Sequence, residues 1–142
     1  MENFRIYLSG GMSNLTFDEQ TKWRKAICNA INYGDYDYEK KPVFFDPTQY
    51  YSLEEVKHKS EKEAMNFDLN ALRKSDLVIV NYNNPASIGT AMEIMLAYEL
   101  RIPVIGLNKE NKTIHPWLVE STDRMCNSIR EVVEHVVNFF LN

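Results

Sequence analysis

Two acidic side chains stand where an acid is least expected. Glu93 falls in Ser87-Ile-Gly-Thr-Ala-Met-Glu93, one turn into a helix that follows the apolar run from Asp76 to Tyr82. Gly89, Glu93 and Ala97 share a helix face at i, i+4 and i+8, and two of the three are small, so a ligand could approach the carboxylate closely. Asp68 lies at i+3 from Met65 and i−4 from Leu72, along the apolar face of the preceding helix. A carboxylate there is costly to bury unless it is paired, hydrogen-bonded or protonated. Two carboxylates facing one pocket suit glycosidic-bond chemistry, one attacking the anomeric carbon and the other protonating the leaving group. The plainer alternatives stay open on spacing alone. Glu93 can be an acid favoured by a helix N-terminus, and Asp68 can cap a neighbouring loop.

The elements that must position these residues alternate along the chain. Phe4 to Leu8 is a strand pattern closed by Ser9-Gly10-Gly11. Thr16-x-x-Glu19 is a capping box, followed by Trp23, Ala26, Ile27, Ala30 and Ile31 on one helix face. Pro42 to Phe45 reads as a second strand. Ser52-x-x-Glu55 is a second capping box, opening a helix expected to run to about Lys74. Asp76 to Asn81 is a strand buried on both faces. Gly89 to Leu100 forms a helix, Ile102 to Leu107 a strand, and Arg124 to Cys126 a short fifth strand. Ser128-x-x-Glu131 caps the last helix, with Ile129, Val132, Val133, Val136 and Phe140 on its core face. The fold class expected is α/β: one doubly wound, flavodoxin-like domain over residues 1–142, a parallel sheet of four to five strands with helices on both faces. In such a sheet the ligand site lies beyond the C-terminal strand ends. That selects the loops from Ser9 to Asn14, Asp46 to Tyr51 and Asn81 to Gly89.

Bulk composition narrows the function classes. The 142 residues are 44% apolar and 25% charged, with a net charge of −4. No basic stripe stands out, so nucleic acid is not an expected partner. Cys28 and Cys126 are expected to be free thiols rather than a disulfide framework. No apolar run spans a bilayer, and the start Met-Glu-Asn-Phe-Arg lacks a signal-peptide layout. A cytoplasmic protein without membrane association is the expectation. His58, His115 and His135 show no metal-ligand spacing, so no metal and no cofactor are expected.

Four pieces in order carry a resemblance over nearly the whole chain. They are Ile6-Tyr-Leu-Ser-Gly-Gly-Met12, Asp46-Pro-Thr-Gln-Tyr50, Asn66-Phe-Asp-Leu-Asn70 with Ser75-Asp76, and Ser87-Ile-Gly-Thr-Ala-Met-Glu93. The chain resembles the nucleoside 2-deoxyribosyltransferase family and its relatives, the nucleoside 5′-phosphate N-hydrolases. The resemblance implies Glu93 as the nucleophile that takes the deoxyribosyl group as a covalent ester, and Tyr7 as the phenol orienting it. It implies Asp68 as the acid that protonates the departing base, and Gln49 as the amide reading the base edge. Gly10, Met12, Ser87 and Gly89 fall on the matching substrate-binding segments. On composition alone Tyr7 is a core tyrosine, Gln49 a loop residue, and Gly10 with Gly11 a tight turn.

The resemblance further implies 2′-deoxynucleosides and free purine or pyrimidine bases as substrates. It also implies a homo-oligomer in which a neighbouring subunit completes each pocket. The segment Ser121-Thr-Asp-Arg-Met125 is expected to do this, with Asp123 reaching the sugar 5′-hydroxyl. One departure stands out: where the transferases often carry an aspartate, this chain has Ser87, as the phosphate-accepting hydrolases do. Against that, the Ser9 to Asn14 loop lacks the arginine those hydrolases tend to use on phosphate. A hydrolase of 2′-deoxynucleoside 5′-monophosphates and a non-catalytic nucleotide-binding module therefore stay as alternatives to the transferase.

Overall fold

Short β-branched and aromatic runs alternate with helical periods, and each run becomes a strand of one sheet. The computed structural model describes residues 1–50 and 59–142. Its strands are β1 (Asn3–Gly10), β2 (Lys41–Phe45), β3 (Leu77–Asn81), β4 (Val104–Leu107) and β5 (Arg124–Cys126). All pair in parallel, in the order β2-β1-β3-β4-β5. The chain winds outward from β1 to β2 on one side and from β3 onward on the other. The point of reversal lies between β1 and β3, where loops leave in opposite directions and open a crevice. Register there sets Ser9 opposite Val80 and Gly10 opposite Asn81.

Helices cover both faces, as the parallel sheet requires. α1 (Phe17–Tyr33) and α5 (Ile129–Phe140) bury Trp23, Ile27, Ile31, Val132, Val133 and Val136 against one face. α2 (Glu61–Arg73) and α3 (Ile88–Glu99) bury Leu72, Ile94 and Ala97 against the other. The expected caps at the first and last helices are present. Thr16 and Glu19 form the reciprocal capping box of α1, and Ser128 accepts from the backbone N–H of Glu131. Among the described residues no helix is long and apolar enough to cross a membrane.

Several expected boundaries move. The cap at Ser52-x-x-Glu55 and His58 lie outside the described residues. α2 begins at Glu61, with Ser60 accepting from Glu63 N–H at 3.1 Å. Ser60-x-x-Glu63 is itself a cap pattern, with Ser60 as the extended N-cap residue of α2. β4 starts at Val104 instead of Ile102, because Ile102 N–H bonds back to Ala97 carbonyl after Arg101 turns with φ 57°. A 3-10 turn at Pro47–Tyr50 and the short α4 (Pro116–Glu120) were not expected. In α4, Pro116 sits at the helix start and His115 Nδ1 accepts from Trp117 N–H.

The end of β1 and α1 approach so closely at Gly10 that a Cβ there would lie 2.8 Å from Trp23 Cζ2 and 3.4 Å from Arg24 Nη2. Trp23 and Arg24 are buried and have nowhere to retreat. Gly10→Ala should therefore lower stability by about 1–3 kcal/mol, measured by urea unfolding at fixed pH; an unchanged midpoint would show that α1 can yield.

Candidate active site

Tyr7 and Ser9 are successive residues on one face of β1, the face covered by α2 and α3. The Tyr7 ring is fixed by stacking on Phe45, 5.3 Å between centroids, and Phe45 stacks in turn on Tyr50 at 5.2 Å. Phe67 closes the ladder edge-on to Tyr50 at 5.0 Å. The ladder joins the ends of β1 and β2 to the middle of α2, one residue from Asp68. Ser9, fully buried, donates its hydroxyl to Glu93 Oε1 at 3.3 Å.

Glu93 comes to this point because Ser87 starts α3. The Ser87 hydroxyl accepts from Thr90 N–H and Thr90 Oγ1. One turn later, Glu93 turns its carboxyl inward. The residue as a whole is half-buried, but Oε2 is enclosed, with no partner of ordinary hydrogen-bond geometry; the same holds for Tyr7 Oη. The phenol still acts on the carboxyl as a donor. Such loose contacts commonly tighten only once substrate is in place.

Burial raises the Glu93 carboxyl to about 7, and the nearby charge of Asp68 adds to this. Tyr7, Arg24 and Ser9 pull in the opposite direction. Tyr7 is pushed well above the usual phenol range, by burial first and then by the charges of Glu93 and Asp68. The phenol therefore stays protonated and keeps its O–H available to donate.

These groups border a cleft of about 770 Å³ at the C-terminal end of the sheet. Tyr7, Asp68, Glu93, Gly10, Met12, Ser87 and Gly89, all expected in the site, line it. Gly89 faces open space, since a Cβ there would meet nothing within 4 Å. Two expected residues do not line it. Gln49 stands exposed on the 3-10 turn whose first residue, Pro47, does border the cleft. Asp123 sits before β5 at the opposite edge of the sheet, where its carboxylate accepts from Val104 N–H at 2.7 Å.

Sequence reading selected the loops that hold Ser9 and Asp46 without giving either a role, and it missed Arg24. Arg24 is fully buried in α1 and borders the cleft floor. Its signal was available: Arg24 is three residues before Ile27 and seven before Ile31, on the apolar face. A cation there demands buried partners.

The sequence pattern described as Nucleoside 2-deoxyribosyltransferase matches residues 6–138. The chain belongs to this family. No curated protein sequence matches it significantly. Solved structures share the fold at low identity. A 2-deoxyribosyltransferase from Bacillus psychrosaccharolyticus is 20% identical, with a TM-score of 0.69 over 91% of this chain and 90% of that one. A conserved protein from Enterococcus faecalis is 16% identical, with a TM-score of 0.73 over 94% and 97%. A CMP N-glycosidase from Clostridium botulinum is 15% identical, with a TM-score of 0.62 over 96% and 99%. Nucleoside 2-deoxyribosyltransferase family membership makes the chain an enzyme type acting on N-glycosidic bonds, which two close carboxylates can serve chemically.

Holding this family's cleft ready has a measurable cost. Between the ordinary carboxyl value of 4.5 and about 7 the folded chain keeps a proton on Glu93 that the unfolded chain has lost. Stability from this group is present below 4.5 and is lost as pH rises through about 7. Glu93→Gln has no such titration. Its stability relative to the parent should rise by up to about 3 kcal/mol between pH 5 and pH 8. Urea unfolding at the two pH values checks this, and a pH-independent difference would contradict a buried, raised carboxyl.

Proposed function

We propose that this protein transfers the 2-deoxyribosyl group between nucleobases by a retaining double displacement. The observation that carries the reading is a carboxylate, Glu93, enclosed beside Tyr7 and Ser9 in a cleft that also holds Asp68. In the first step Glu93 attacks C1′ of a 2′-deoxynucleoside. The C1′–N bond breaks, its electron pair stays with the base, and Asp68 delivers the proton the base needs. In the second, Asp68 takes a proton from an incoming base, whose nitrogen attacks C1′ and expels Glu93 from the ester. Two inversions restore the β configuration.

Tyr7 and Ser9 hold the Glu93 carboxylate in line for attack. Gly89 leaves room for the sugar one turn before it. Gly10, Met12 and Ser87 border the same space, and Gln49 stands exposed on the adjoining 3-10 turn. A cytoplasmic salvage role fits substrates of this kind. Assembly enters the proposal as well. Ile88, Met92 and Met95 form an exposed apolar stripe on α3, and Trp117 in α4 is 79% exposed. An oligomer would cover such side chains, and the segment with Asp123 would then serve a neighbouring subunit's cleft.

One observation favours a second reading, hydrolysis of 2′-deoxynucleoside 5′-monophosphates. Because the Ser87 hydroxyl accepts from Thr90, its own proton is free to donate at the N-terminus of α3, beside the cleft. That setting suits a phosphate. This enzyme would release base from a monophosphate with no acceptor base present.

Deoxyinosine incubated with adenine should give deoxyadenosine by mass spectrometry, and Glu93→Ala should abolish it; exchange persisting in that variant would remove Glu93 as the nucleophile. Asp68→Asn should slow exchange by about 10²–10⁴-fold while leaving nucleoside binding measurable by calorimetry. An unchanged rate would take Asp68 out of the mechanism. Since Glu93 must be ionised to attack, kcat/KM should rise with pH through an apparent value of about 7. Tyr7→Phe removes a contact that holds the carboxyl down, so this acid limb should move to higher pH. A limb that stays put would deny the phenol its role.

A further inference from the structure

The most deeply buried charge beside the cleft belongs to Arg24, which is 0% exposed. Its guanidinium reaches back from α1 to the end of β1. Nε donates to Leu8 carbonyl at 3.3 Å and Nη2 to Gly10 carbonyl at 3.4 Å, the two carbonyls flanking Ser9. Nη1 donates to Gln20 carbonyl one turn earlier in α1. Trp23 covers the group, its ring centroid 4.7 Å from Cζ. Beyond β2, Asp46 Oδ1 lies 3.7 Å from Nε while accepting from Thr48 N–H and Thr48 Oγ1. One side chain thus ties α1, the last turn of β1 and the 3-10 turn together.

The charge matters as much as the ties. Burial draws Arg24 below the usual guanidinium range, and Asp46 foremost, then Glu93, Tyr7 and Asp68, hold its proton in place. Seen from Glu93, the groups that face it are Tyr7 and Ser9 on β1, Asp68 on α2 and Arg24 on α1. Arg24 is the only buried Lys or Arg among the described residues. A positive charge at this depth is poorly screened, so its field reaches the carboxylates.

We propose that Arg24 is a positioning residue for the chemistry at Glu93. It clasps β1 on both sides of Ser9 and lays a buried positive charge beneath the carboxylates, while Asp46 sets how much of that charge reaches them. The proposal rests on the reading of Glu93 as the reacting group, and it differs from a purely structural role in one respect. Changing the Arg24–Asp46 pair must change the pH at which Glu93 titrates, and in opposite senses for the two partners.

The test follows Glu93 directly, in the full chain. The pH dependence of unfolding free energy is compared with and without Glu93→Gln, in the parent and in Arg24→Gln, Arg24→Lys and Asp46→Asn backgrounds. The acid limb of base exchange is followed in parallel. Arg24→Gln should move the Glu93 titration to higher pH by about one pH unit. Asp46→Asn, whose amide oxygen still accepts from Thr48, should move it to lower pH. Arg24→Lys keeps the charge but loses the fork to both carbonyls, so the titration should stay near the parent value while kcat falls. If Arg24→Gln fails to fold, the downward shift in Asp46→Asn still supports the proposal. A Glu93 titration unmoved in Asp46→Asn, or in a folded Arg24→Gln, would overturn it. A parent enzyme inactive on every nucleoside, with both shifts present, would sink the reaction and leave the positioning role standing.

Discussion

A negative charge kept away from water governs this molecule. The Glu93 carboxyl is enclosed by β1 and α3, and burial is the largest cause of its rise to about 7. Tyr7, Arg24 and Ser9 moderate that penalty without cancelling it, while the charge of Asp68 adds to it. Ser9 gives one hydrogen bond, Tyr7 offers a phenol that never ionises in the working range, and Arg24 supplies charge from below. A carboxylate fully satisfied by such partners would be stable and inert. One short of partners keeps an oxygen in reserve for a carbon centre.

The sheet order makes the gathering possible. With β1 and β3 adjacent at the reversal, the β1 end with Tyr7 and Ser9, the α2 side chain Asp68 and the first turns of α3 converge on one crevice. The aromatic ladder Tyr7–Phe45–Tyr50 with Phe67 makes this convergence rigid. Solved structures only 15–20% identical to this chain share the fold.

Much of this was legible in the sequence, and the reasons are local. Strands and helices declared themselves through periodicity and through the caps at Thr16 and Ser128, which depend on residues three apart. Asp68 stood out because it breaks the apolar pattern of its helix, whereas spacing left the role of Glu93 open and the family resemblance supplied it. Arg24 breaks a pattern too, but Trp23 and Ile27 on either side made the helix face look complete. Its meaning lies in carbonyls of β1 and in Asp46, contacts that no spacing within α1 reveals. Ser9 was similarly hidden, since a serine at a strand end reads as a turn until a carboxylate from residue 93 meets it. The stretch before β5 misleads for the opposite reason. Asp123 looks free in sequence, yet the parallel pairing of β4 and β5 brings it to Val104 N–H.

If Glu93 is the nucleophile, the sugar must be attached to it between the two steps. Mixing the enzyme with a 2′-deoxynucleoside without acceptor base, quenching in acid and mapping peptides by mass spectrometry reads that state directly. The peptide carrying Glu93 should gain the mass of one deoxyribosyl group, and later addition of a base should remove it. Base release or exchange with that peptide unmodified, or with the sugar found on another residue, would contradict the double displacement.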